Sequence, residues 1–167
     1  MYVIITTDGS KQSLQAARYL KSVADPDTIT SIAVLAVISP LAAVPFATAD
    51  KGRQDPADMS FRESATAATK EVAAILAGWG PKVTTQIRSG SPASEIVKAA
   101  KAKDAGLIVL AARSSRAEAV LMGSVAHRVL NHAPCPVLVV PPGTKIKAKS
   151  KAKPAAAAKK PVAKSPS

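Results

Sequence analysis

The sequence predicts an α/β fold, a single doubly wound domain in which a five-stranded parallel sheet lies between layers of helix. Three observations lead there. Short runs rich in Val, Ile and Leu alternate with segments whose apolar residues recur at helical spacing, in the order β-α-β-α-β-α-β-α-β. Parallel neighbours need crossover connections, and that alternation supplies one between each pair of strands. The composition is 47% hydrophobic but only 3% aromatic, so the core must be built from small aliphatic side chains, which suits helices packed closely on a sheet. Finally, 167 residues is a length that accommodates one core with a tail.

The elements follow in order. Tyr2 to Thr6 is a β-rich run, and Asp8-Gly9-Ser10 forms a turn with a helix N-cap built in. Leu14, Ala17, Leu20, Val23 and Ala24 mark the inner face of the first helix, which Asp25-Pro26-Asp27 closes. Ile29 to Ile38 is a second, largely apolar run, which fits a strand buried on both faces. It belongs to an uncharged stretch, Thr28 to Ala49, long enough to cross a bilayer, but Pro40 and Pro45 interrupt it and hydroxyl residues dilute it, so a strand running into a loop is expected.

A loop of about twenty residues follows. Phe61, Ala65, Ala68, Val72, Ile75, Leu76 and Trp79 then define the inner stripe of a second helix ended by Gly78, Gly80 and Pro81. Val83 to Ile87 reads as the third strand. Ser91-Pro92 reads as an N-cap with proline in the first helical position, ahead of Ile96, Val97 and Ala100 on a buried side. Leu107 to Leu110 is the fourth strand, a helix beginning at Gly123-Ser124 runs through Leu130, and Val137 to Val140 is a short apolar strand bounded by prolines.

Charge separates the chain into a domain of residues 1–142 and a tail of residues 143–167. The formal charge is +12, yet residues 144–167 hold eight lysines and no acid, leaving fifteen basic against eleven acidic residues before them. Lys145, Lys147, Lys149, Lys151, Lys153, Lys159, Lys160 and Lys164 alternate with alanine, serine and proline, a composition that cannot offset its ordering entropy by burial and is expected to be disordered. The tail resembles the Lys-Ala-Pro tails of linker histones, which implies sequence-independent contact with DNA or RNA through counterion release. A merely solubilising tail is the alternative.

The opening MYVIITTDGS has neither a basic n-region nor a cleavable apolar segment, so a cytoplasmic location is expected, with no membrane contact. Cys135 stands alone and reads as a small buried hydrophobe. His127 and His132, five apart on one helix, do not share a face as a metal pair would. No nucleophile, base and orienting acid occur together, so neither a catalytic residue nor a metal site is expected.

Three stretches carry a family resemblance: VIITTDGSKQSLQAARYL, IRSGSPASEIVKAAKAKDAGLIVL and LMGSVAHRVLNHAPCPVLVV. Together they resemble the universal stress protein A family. The resemblance implies strand order 3-2-1-4-5, a stress-response role without catalysis, and a homodimer joined through Val137, Leu138, Val139 and Val140. The last strand would otherwise be an exposed apolar edge that invites pairing.

That strand order places a ligand crevice beyond the carboxyl ends of the first and fourth strands, where the sheet order reverses. The resemblance implies ATP or a related adenine nucleotide there, with Mg2+ only alongside the nucleotide. Asp8 would hold ribose, Val37 would lie against adenine, and Thr6, Ala111, Arg113, Ser114, Gly123, Ser124 and Val125 would complete the site. ATP-binding members carry a glycine, two residues, a second glycine, nine residues, then Gly-Ser or Gly-Thr. Counting back from Gly123 gives Arg113 and Leu110 at the glycine positions, and sliding by one residue gives Ala111 and Ser114. Either way both loop glycines are missing. A Cβ in the left-handed region costs about 1–2 kcal/mol, enough to remove tenfold in affinity. Arg113, Ser114, Ser115 and Arg116 could instead grip phosphate by side chain.

Overall fold

The computed structural model describes residues 1–39, 56–112 and 123–146. Its strands are β1 (Tyr2–Thr6), β2 (Ser31–Ile38), β3 (Lys82–Ser89), β4 (Ala105–Ala111) and β5 (Val137–Val140). The helices are α1 (Lys11–Val23), α2 (Pro56–Leu76), α3 (Pro92–Ala102) and α4 (Ser124–His132), with one 3-10 turn at Pro26–Thr28.

All strands are parallel, in the order β3-β2-β1-β4-β5. In β1, Tyr2 to Thr6 pair with Ser31 to Leu35 on one side, while Val3 to Ile5 pair with Leu107 to Val109 on the other. Among the described residues β5 pairs only along β4, from Ile108↔Val137 to Ala111↔Val140.

Because side chains alternate across a strand, each central strand must be apolar at every position, and each feeds two cores. Val3, Ile5, Ile32, Val34 and Val109 face α1 and α2, meeting Ala16, Ala17, Leu20, Val72 and Leu76. Ile4, Ala33, Leu35, Ile108 and Leu110 face α3 and α4, meeting Ile96, Ala99, Ala100, Ala126 and Val129. Alanines at the contact points let the helices approach closely, which explains how so little aromatic volume suffices.

Several boundaries and faces differ from the sequence reading. The second strand starts at Ser31, because Asp25 caps the Pro26–Thr28 turn by accepting from the Asp27 amide and holds Ile29 outside the ladder, though buried. Val23 is 54% exposed: it is the last residue of α1, and the chain leaves in extended conformation at Ala24. Phe61 is 40% exposed, since the buried stripe of α2 consists of Ala68, Val72 and Leu76 at four-residue intervals and Phe61 lies before it. Trp79 follows the helix and packs half-buried against the α1–α2 core. The uncharged stretch forms β2, residues 40–49 lie outside the described residues, and no helix among the described residues is long and apolar enough to cross a membrane.

The two serine caps are not equivalent. Ser10 Oγ accepts from the Ser13 amide at 3.2 Å, whereas Ser91 makes no side-chain cap bond and relies on Pro92 to preset the first turn. Ser10→Ala is therefore expected to destabilise the fold by about 1 kcal/mol and Ser91→Ala by only a few tenths, measured by urea unfolding.

Candidate functional site

At the carboxyl end of the sheet lies an open recess of about 300 Å³. Its walls come from the ends of three strands and the starts of three helices. β1 and the turn after it supply Thr6, Thr7 and Asp8, while β2 and the residue after it supply Leu35, Val37 and Ser39. β4 supplies Leu110 and Ala111. The first turn of α4 closes the opposite side with Gly123, Ser124, Val125 and Ala126, and α1 and α3 border it through Ser13, Pro92 and Ile96. Asp8 and Gly123 thus open onto the same cavity. The position follows from topology: β2 and β4 flank β1, and α1, which follows β1, and α4, which follows β4, lie on opposite faces of the sheet.

The β1–α1 turn is fixed by its own side chains. Thr7 and Ser13 share a buried hydroxyl–hydroxyl bond of 2.9 Å, Gly9 N donates to Thr7 Oγ1 at 3.2 Å, and Ser10 N donates to Asp8 Oδ1 at 3.1 Å. The Asp8 carboxylate is consequently oriented at the lip while remaining exposed. Across the recess, Gly123 caps α4 with φ 74° and ψ 148°, a conformation that only glycine adopts readily. The first turn of α4 that it starts, Gly123 to Ala126, lines the recess. First-turn amides have no carbonyl one turn earlier and, with the helix dipole, favour an anion.

The recess therefore unites an acceptor carboxylate, two hydroxyl-bearing strand ends, an apolar slot beside Leu35 and Val37, and a helix N-terminus. That combination suits a ligand with a polar, hydroxylated middle, a flat apolar end and an anionic end. Of the residues singled out in the sequence, Thr6, Asp8, Val37, Ala111, Gly123, Ser124 and Val125 line the recess. Arg113 and Ser114 lie outside the described residues, as do tail lysines 147 to 164, while Lys145 is described and exposed. Thr7, Ser13, Leu35, Pro92 and Ile96 were not foreseen. Leu35 had a readable signal, since it lies two residues before Val37 on the same strand face.

Other chemistry-bearing groups sit apart from the recess lining. Cys135 is half-buried against the α3–α4 core, where burial and then the Asp104 carboxylate push its thiol pKa up. His127 and His132 are exposed; the Nδ1 of His132 is 2.9 Å from the Arg128 carbonyl, one turn back. Among the described residues no three His, Cys, Asp or Glu side chains form a metal-binding group. On α3, Glu95 meets Lys98 at 2.9 Å and Arg88 at 3.4 Å, and the Lys98 bond chiefly holds its carboxyl below the usual range.

Comparison with known proteins now defines the class. Residues 1–141 match the model of the universal stress protein family. A universal stress protein of Methanocaldococcus jannaschii is 36% identical over 140 residues, which cover 83% of this chain and 80% of that protein. The chain belongs to the universal stress protein family. Among solved structures, that of the universal stress protein from Archaeoglobus fulgidus in complex with dAMP has a TM-score of 0.58 at 22% identity, with 84% of this chain and 97% of that one covered. A universal stress protein family protein of Arabidopsis thaliana with AMP bound gives 0.57 at 16% identity, covering 84% and 90%. These two likenesses concern the fold.

Two measurements probe this geometry. Gly123→Ala forces a side chain into a glycine-only conformation and is expected to cost on the order of 1–3 kcal/mol in urea unfolding. The depressed Glu95 carboxyl contributes stability that is fully present above its unfolded pKa and is lost as pH falls through the lower folded value. Glu95→Gln should therefore flatten the acid side of a stability–pH profile.

Proposed function

We propose that this chain is a non-catalytic, dimeric stress-response protein of the cytoplasm that binds an adenine nucleotide weakly in the rim recess. The observation that carries the reading is the opposition of Asp8 to the α4 N-terminus across a cavity of nucleotide-accommodating size, at the reversal point of the sheet. The AMP and dAMP complexes of fold neighbours lend it support.

In this reading Asp8 accepts a hydrogen bond from ribose, adenine lies along Val37, and Thr6 and Ala111 form the floor. Phosphate meets the amides at Gly123, Ser124 and Val125, with Arg113 and Ser114 adding side-chain donors. Mg2+ enters only with the phosphates. The absence of both loop glycines removes close backbone approach to the phosphates, so affinity is low. Any nucleotide turnover is slow or absent in this reading. Dimerisation proceeds through β5, whose outer edge lacks a strand neighbour among the described residues.

A second reading is favoured by the tail: its eight lysines equip the chain for sequence-independent contact with DNA or RNA. Calorimetric titration with ATP and AMP tests the first. Binding is expected at high micromolar to millimolar nucleotide, and Asp8→Ala should weaken it about tenfold, corresponding to one charge-assisted hydrogen bond. No heat at millimolar nucleotide defeats the reading.

A further inference from the structure

We infer that the outward face of α2 is a self-docking surface, on which two copies of this chain pair α2 against α2, antiparallel, about a two-fold axis passing between Thr66 and Ala67. The contact uses a different element from β5 and does not depend on whether the edge strands pair.

The helix period defines the face. At 3.6 residues per turn, Glu63, Ala67, Lys70 and Ala74 share one side of α2, opposite the buried stripe of Ala68, Val72 and Leu76. All four are exposed. Arg62, Glu63, Thr66, Ala67 and Lys70 line an open hollow of about 380 Å³ on this helix surface. Thr66 donates its hydroxyl to the Arg62 carbonyl at 2.7 Å, so it brings no unpaired polar hydrogen into a contact. With Thr66 and Ala67 at its centre, the face lets a second helix approach to the usual axial spacing of about 8–10 Å.

The charges select the occupant. On a solvated helix, opposite charges support one another three or four residues apart, as Glu95 and Lys98 do on α3 at 2.9 Å. Neither Glu63 nor Lys70 has an opposite charge at those spacings in either direction. They stand two turns apart, about 10 Å along the axis, and among the described residues neither forms an ion pair within the chain. Yet they lie equally far on either side of the midpoint between Thr66 and Ala67. A second copy running antiparallel about that midpoint sets its Lys70 across from Glu63 and its Glu63 across from Lys70. A parallel copy in matched register sets Glu63 against Glu63 and is repelled. The face is thus complementary to itself in one orientation, as an isologous contact requires.

A single helix pair is a small interface, below about 1,200 Å² of total surface, and its ion pairs are exposed, so association is weak and sensitive to salt. α2 covers β2 and β3, whereas β5 borders β4 at the other end of the sheet, so one copy can engage both surfaces.

Sedimentation velocity on the full chain at low ionic strength, from about 10 to 500 µM, tests the inference. The native mass is expected to climb with concentration to at least twice that of Glu63→Lys or Lys70→Glu, each of which sets like charges across the axis. An equimolar mixture of those two variants, and the double exchange of Glu63→Lys with Lys70→Glu, both re-create opposite pairs and should regain the climb. A native mass equal to that of the single variants at every concentration leaves the face to solvent or to another partner and overturns the inference. So does a loss that either the mixture or the double exchange fails to restore.

Discussion

The pairing of β1 with neighbours on both sides is the constraint on which the rest depends. Buried between β2 and β4, β1 offers apolar side chains to two faces at once, and each face must be covered by its own pair of helices. α1 and α2 take one face, α3 and α4 the other. The helices that follow β1 and β4 must then start on opposite faces, and the recess lies between those starts. Core packing and cavity are in that sense one decision, made by where β4 inserts.

Given that constraint, local chemistry finishes the rim. The hydroxyls of Thr7 and Ser13 and the amides of Gly9 and Ser10 satisfy one another, so the turn bearing Asp8 is held from within. Gly123 performs the corresponding task opposite, where its positive φ starts α4. The question raised by a Gly-Ser helix entry behind a loop without glycine has a structural answer: Gly123 is required by backbone conformation whatever the loop grips.

Much of this was legible beforehand. β1, β2, β4 and β5 announce themselves as Val-, Ile- and Leu-rich runs, β3 only as a β-branched stretch with a mixed pattern, and the order of strands follows from the family resemblance of the segments around Asp8, Ser91 and Gly123. Less legible were the ends of elements. Val23 and Phe61 have the right spacing for an inner stripe, but periodicity reports a direction and not whether anything lies there to be covered. Ser13, Pro92 and Ile96 escaped for another reason: which helix borders the recess depends on packing across the sheet, and no pattern within a single helix encodes it. Leu35 was readable from strand alternation and was passed over.

Trp79 carries a practical consequence. It is the sole tryptophan of the chain, seated between the end of α2 and the start of β3. Helices here run opposite to strands, so that junction belongs to the pole of the molecule away from the recess. Its emission should follow loss of the α1–α2 core while ignoring occupancy at the other pole. The protein thus carries a native optical gauge of folding that a bound ligand leaves undisturbed.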